Sequence, residues 1–417
     1  VRRKITAWKN ASGVLFSVLL PTHDRLDYLR YAVESVRRQD DPGWEIVISD
    51  NDSEDDIGAY VEGLGDDRVR FVRTERFVPV TENWNNALRH STGDYVVMLG
   101  DDDALLPGYF SALRTVIDRF EEPDAIYLGA LLYAYPGVLP DAPDGYLQPN
   151  AHAGFFAGAE GPFVLDSGTA RELVRAAMDF RARYDFNMQY IAVSRELVDE
   201  LAGDGDFFRS PFPDYYAMNL VFARAQRIVV DPKPRVVVGI TPRSHGFFHF
   251  NRREAEARAL LNTDGLEPAI RRDLERVILP GTNINTSWLL AMEALHRRLG
   301  SPPDMRPNYA RYQMLQAVHC EQAYHLHHTI TRGELAIAEA GLPPLQRRAL
   351  HILGTIGGAV LRASPPVVRR AIGAAHDRLL GQFGRGEEPL REVGRYRDII
   401  EVFDAFAVDA PRAGQRP

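Results

Sequence analysis

Between residues 14 and 130 the chain alternates short apolar runs with segments of helical period, and this alternation constrains the fold more than any other feature. Val14–Leu20, Glu45–Ser49, Val69–Val72, Tyr95–Leu99 and Ala125–Leu128 are of strand length and rich in Val, Ile and Leu. Between them, Leu26–Arg38 sets Leu26, Leu29, Ala32, Val33 and Val36 on one stripe, and Thr81–His90 has the same period. Strands joined through helices predict an α/β fold: βαβ units, a mostly parallel sheet and flanking helices. Ligands of such sheets sit outside the carboxyl ends of the strands, so the residues just after each run carry the functional signal.

Those residues are polar and mostly acidic. Pro21-Thr22-His23-Asp24-Arg25 follows the first run, Asp50-Asn51-Asp52-Ser53 the second and Gly100-Asp101-Asp102-Asp103 the fourth. Adjacent carboxylates raise one another's pKa, so three behind an apolar strand invite a cation. Oxygen donors in a His-poor stretch suit Mg²⁺ or Mn²⁺ better than Zn²⁺. The plainer reading is a solvated acidic turn ahead of the next helix. Asp50 to Asp55 also resembles the start of an EF-hand loop, but Asp55 and Val61 stand where Gly and Glu are needed.

Composition removes several classes. A chain of 417 residues with 45% apolar content supplies more than one core, which predicts two domains. A net charge of −8 argues against nucleic acid as a partner, since such affinity rests on cationic side chains. Only Lys4, Lys9 and Lys233 are lysines, and there is no G-x-x-x-x-G-K-[ST] loop, kinase motif set or S-x-x-K. A single Cys320 forbids an intrachain disulfide. Arg2, Arg3 and Lys4 precede an apolar run too short for a secretory signal, and no run reaches the roughly 18 residues of a membrane span. The expectation is a cytoplasmic protein, soluble or peripheral to a membrane.

Ser17 to Arg25, Glu45 to Ser53 and Gly93 to Asp103 together resemble, in order and separation, the family 2 glycosyltransferases with the GT-A, Rossmann-like fold. The resemblance covers residues 14 to about 250 and is strongest over the first 110. It implies inverting transfer of a sugar from a nucleotide-diphospho-sugar donor to a hydroxyl of a glycan, glycolipid or lipid-linked acceptor, with Mn²⁺ or Mg²⁺ as cofactor. A non-catalytic protein binding nucleotide-sugar or glycan on the same fold is the alternative. Carried over by position, Pro21, Thr22, His23 and Arg25 line the nucleoside pocket, and Asp50 with Asp52 faces the base. Asp101 and Asp102 meet the ribose-diphosphate, and Asp102, Asp103 and His245 hold the metal. Gly100 stands at the family's first acidic position, and His23 where Tyr or Phe is usual. Trp84 and Asn85 match a recurrent donor-side stretch. Asp214, at a helix start in Phe212-Pro213-Asp214-Tyr215-Tyr216, is the expected base, with the two tyrosines as a sugar platform and Asp185 and Asp206 in reserve.

The rest of the chain is less legible. Tyr133 to Pro162 reads as a loop, Thr169 to Glu172 as a capping box, and Arg227–Val230 and Arg235–Ile240 as two strands. The expected division is a catalytic domain over 1–250, a helical C-terminal domain over 251–408 and a mobile tail over 409–417. His319, Cys320, Glu321, His325, His327 and His328 are dense, yet only part of the set shares a helical face, so interhelical packing is their expected role. Ala349–Leu361 is an uncharged run between arginines. It reads as a core helix or a homo-oligomer interface, with contact to an anionic membrane surface as the other reading.

Overall fold

The computed structural model describes residues 13–138, 144–150, 154–156, 158–203, 205–209, 212–244, 247, 275, 277–327, 329–363 and 393–408. The strands are β1 (Phe16–Thr22), β2 (Trp44–Asp50), β3 (Val69–Arg73), β4 (Tyr95–Met98), β5 (Ala104–Leu105), β6 (Ala125–Ala134), β7 (Gly145–Pro149), β8 (Phe163–Leu165), β9 (Ile191–Ser194), β10 (Ile228–Ile240) and β11 (Gly394–Tyr396). The α-helices are α1 (Leu26–Arg37), α2 (Ile57–Leu64), α3 (Val80–Arg89), α4 (Tyr109–Arg119), α5 (Ser167–Met178), α6 (Arg195–Ala202), α7 (Pro213–Arg224), α8 (Asn283–Arg298), α9 (Tyr309–Gln322), α10 (Arg332–Glu339), α11 (Pro344–Ala363) and α12 (Ile399–Val408). The five expected strands and both expected helices of the first half are present.

All strands join one sheet, in the order β11-β7-β6-β9-β4-β1-β2-β3, with β10 pairing to β5, β6 and β8. The α/β expectation holds, with one qualification about direction. β1, β2, β3 and β4 pair in parallel, as do β6 and β10, whereas β9 runs antiparallel to both β4 and β6. Parallel strands need crossover connections, and α1, α2 and α3 make those among β1 to β4; α5 links β8 to β9, and α6 and α7 link β9 to β10. β2 is buried along its whole length and β1 all but so, which is why they read as continuous apolar runs rather than alternating ones. On α1, Leu29, Ala32, Val33 and Val36 are fully buried against the sheet.

Three corrections concern local structure. The two strands expected on either side of Lys233 are one, β10, whose register against β6 slips between Asp231 and Val236. Pro232 and Pro234 lack the N–H a ladder requires, so the strand bulges there and resumes. The cap of α5 is Asp166, which accepts the Thr169 amide at 2.9 Å, so Thr169 lies inside the helix rather than before it. Tyr133 to Pro162 contains β7 and the end of β6.

The C-terminal segments return to the sheet across the boundary expected at residue 250. β11 pairs antiparallel with β7, and Ile399 and Val402 of α12 are buried with Leu131, Tyr133, Leu147 and Val237. α8 shares the main core: Trp288 is buried there and donates its indole N–H to the Ala177 carbonyl at 2.8 Å. The tail over 409–417 lies outside the described residues. Among them no helix is long and apolar enough to cross a membrane.

Candidate functional site

The parallel register sets Thr22 beside Asp50 and Phe16 beside Tyr95, so the carboxyl ends of β1, β2 and β4 share one edge. Arg25, at the start of α1, extends from this edge and ion-pairs with Asp101 at 2.8 Å and Asp102 at 2.6 Å. Thr22 Oγ1 donates to the other Asp101 oxygen at 2.8 Å. Burial opposes the charge on Arg25, but Asp101 and Asp102 more than offset it and hold the guanidinium pKa above its ordinary value.

The acidic turn is closed from the far side by β10 and the turn over residues 241–244, where the Ser244 amide donates to the Thr241 carbonyl at 3.1 Å. Ser244 Oγ donates to Asp102 Oδ2 at 2.6 Å, and Arg25 also reaches Thr241 Oγ1 at 2.8 Å. Arg243 forks onto Asp27 of α1 at 2.6 Å to each oxygen. Gly239 permits this closure: a Cβ there would lie 1.8 Å from the Asp102 carbonyl oxygen, a contact no side chain could make.

The three aspartates have different tasks. Asp103, only 1% exposed, accepts the Gly100 and Gly239 amides at 2.8 Å each and the Gln189 side-chain amide at 2.9 Å. With both oxygens so engaged, Asp103 helps close the turn. Asp101 is likewise used on both oxygens. Burial raises the pKa of Asp103, with Asp102 adding to it; burial also raises that of Asp101, where Arg25 pulls the other way. Asp102 spends Oδ2 on Arg25 and Ser244, while Oδ1 has no hydrogen bond among the described residues. A divalent cation fits this donor set: three carboxylates meet one directly paired guanidinium, and one carboxylate oxygen is open.

At β2, Asp50 is fully buried, with Oδ1 accepting the Ser53 amide at 3.0 Å. Its Oδ2 has no hydrogen bond, although Arg73 Nη1 lies 3.2 Å away. Arg73 also reaches Asp52 at 2.9 Å. Pro21 lies within β1. His23 bonds to the Asn51 carbonyl at 2.8 Å and stacks on Phe77, with ring centroids 4.4 Å apart. Phe77 thus places a second aromatic ring beside His23.

Other expected site residues have structural roles. Asn85 donates to the Thr81 and Phe208 carbonyls at 2.9 and 2.8 Å and accepts the Phe208 amide at 3.0 Å, which uses both N–H groups of its side chain. Trp84 packs edge-on against Phe208. The two clamp the loop before α7. Tyr215 and Tyr216 are buried in the core, Tyr215 against Phe212 and Trp288, so they form no sugar platform. Asp206 is exposed and paired with Arg89. His245 lies outside the described residues.

Two acids remain as bases. Asp214 is partly buried at the start of α7, and burial raises its pKa to about 7 against the Tyr215 amide at 2.9 Å. Burial alone raises Asp185 to about 7 as well. Gln189, Gly239, Thr241, Ser244 and Phe77 carry no motif in the sequence; only the stretch around His245 pointed near Ser244.

The buried acidic turn lies at the shared carboxyl edge of the strands, where α/β sheets take their ligands. Residues 17–162 match the model described as Glycosyl transferase family 2, so this part of the chain is similar to that family. It is 35% identical over 126 residues to the GalNAc(5)-diNAcBac-PP-undecaprenol beta-1,3-glucosyltransferase of Campylobacter jejuni, covering 30% of this chain and 40% of that protein. It therefore spans less than half of that relative's length. Solved structures similar to it include S. aureus TarS 1-349 (15% identity, 82% of this chain and 92% of that one, TM-score 0.45). Mannosyltransferase PcManGT from Pyrobaculum calidifontis is another (18% identity, 88% and 86%, TM-score 0.42). Such scores are too low to say more about the fold than its own pairing does.

Removing Arg25 leaves two buried carboxylates without their cation. Arg25→Leu is expected to cost about 3–5 kcal/mol of unfolding free energy, read by urea denaturation. A cost below about 1 kcal/mol would show that the pair does not hold the edge together.

Proposed function

We propose that the chain transfers a sugar, with inversion, from a nucleotide-diphospho-sugar to an acceptor hydroxyl. The observation that carries this is the acidic turn at the strand edge, with Asp102 Oδ1 open, inside the part of the chain similar to this family. The nucleoside would lie across β1 and β2, with the His23–Phe77 stack as a flat face and the buried Asp50 Oδ2 as an acceptor for a base N–H. Asp102 would hold Mn²⁺ or Mg²⁺, which as a Lewis acid stabilises negative charge on the departing diphosphate. Arg25, Thr22 and Ser244 fix the carboxylates in place before donor arrives.

Calorimetric titration of UDP, GDP and dTDP, with and without Mn²⁺, tests the donor site. Metal-dependent binding of one nucleotide is expected, weakened at least tenfold in Asp102→Asn. Absence of binding under every condition would favour the non-catalytic glycan-binding reading.

Asp214 takes the acceptor proton as the base. It must be ionised to do so, so turnover is expected to rise with pH through about 7 and then level off. Asp214→Asn should lower kcat by about 10²–10⁴-fold and leave nucleotide affinity unchanged. If Asp185→Asn abolishes turnover while Asp214→Asn does not, the base is Asp185.

The acceptor side of this reading is a glycan, glycolipid or lipid-linked sugar, reached by peripheral contact with a membrane. α11 supports this contact: Leu345, Ile352, Leu353 and Ile356 are exposed beside Arg347 and Arg348. Cosedimentation with anionic phosphatidylglycerol vesicles is expected, and its loss in Leu353→Glu/Ile356→Glu; equal recovery with neutral phosphatidylcholine vesicles or none would argue against it.

A further inference from the structure

Far along the chain from the acidic turn, helix α9 runs into a π-helical turn, Ala323–His327, before α10 and α11 pack against it. A π turn shifts side chains out of α register and recurs at functional sites. Here it carries His325, whose Nε2 lies 3.0 Å from Oε2 of Glu321. His351 of α11 approaches the other oxygen, with Nδ1 at 3.2 Å from Oε1. One ligand atom from each of the three residues lies within 4.8 Å of the others.

The centre of this cluster is a buried acid. Glu321 is 2% exposed, and its Oε2 has no hydrogen bond despite the nearby imidazole. Glu339 of α10, also buried, sets its carboxyl against Glu321, so two acids and two imidazoles converge between three helices. Space at Oε2 is kept by Gly354, one turn beyond His351. A Cβ there would lie 2.5 Å from Glu321 Oε2 and 3.1 Å from His325 Cδ2.

We propose that Glu321, His325 and His351 bind a divalent transition-metal ion, zinc by their donor set, which ties α11 to α9. Two imidazoles and one carboxylate are a three-ligand zinc set with a fourth position left for water or a second acid. The two imidazole nitrogens lie 3.0 and 3.2 Å from different oxygens of the one carboxylate, and the ligand atoms lie within 4.8 Å of one another, so modest side-chain rotation brings them to the roughly 3.3 Å edges of a tetrahedron with bonds of about 2 Å. The sequence alone left the histidine-rich stretch short of a ligand set, because the third ligand comes from a different helix.

The test uses the full chain, stripped with chelator, reloaded with zinc chloride and gel-filtered before elemental analysis. About one zinc per chain is expected, retained in Asp102→Asn and lost in His351→Ala, whose exposed side chain makes misfolding no obstacle. Gly354→Ala removes no ligand and favours the helix, yet should weaken zinc binding roughly tenfold by crowding Glu321. No retained zinc, equal zinc in His351→Ala, or zinc lost only in Asp102→Asn would each overturn the proposal.

Discussion

The pairing of Arg25 with Asp101 and Asp102 is the interaction on which the functional edge depends. Each partner is nearly removed from water, and a buried charge is tolerated only where an opposite charge and hydrogen bonds replace its hydration. Hydrogen bonds from Thr22 and Ser244 complete that replacement. The guanidinium therefore fixes where α1 begins, where the turn after β4 ends and how closely β10 passes. A hydrophobic triad of the same volume would be no less stable by the general energetics of buried ion pairs. Retaining the charged version makes sense where an acidic surface is needed in one place and must be held there in advance.

That requirement also explains why three consecutive aspartates are not three equivalent ligands. Asp103 points its oxygens at two backbone amides and Gln189, and so spends its charge on closing the turn. Asp101 is consumed by Arg25 and Thr22, and Asp102 alone keeps an open oxygen. A D-D-D string thus divides into one staple, one anchor and one available donor.

The legible part of the chain was the part governed by local periodicity. β1, β2 and β4 could be read because they are buried almost throughout, and α1 because it buries one apolar stripe. The acidic strand ends emerged from the same pattern, since parallel strands bring their carboxyl ends together. Pairings that join distant segments were not legible. Gln189, Gly239 and Ser244 lie 86, 136 and 142 positions from the aspartates they hold, and nothing local marks a residue for such a contact. Asn85 and the Tyr215–Tyr216 pair were ambiguous for the complementary reason: polar or aromatic character suits a ligand site and a buried clamp equally. β11 and α12 were hidden because a three-residue strand and one short helix have too little pattern to announce a return to the sheet.

The two proposed cation sites are of unlike chemistry, and they are compatible in one chain because their donors differ. At the strand edge only carboxylate oxygens are offered, one of them open, and a guanidinium already offsets part of the charge. A hard ion that brings its own water and phosphate oxygens suits that setting. Between α9 and α11 the donors are two imidazoles and a carboxylate with no guanidinium in direct contact among the described residues, a setting that favours a borderline ion over magnesium. On the proposed function, the first site would let its ion meet and release a nucleotide, so a sparse protein donor set would be an advantage there. The second would only have to hold helices together, beside a helix, α11, whose Leu345, Ile352, Leu353 and Ile356 are exposed. Losing the ion there would loosen α11 without disturbing Asp102, which separates the stability of the acceptor-side surface from the affinity for donor.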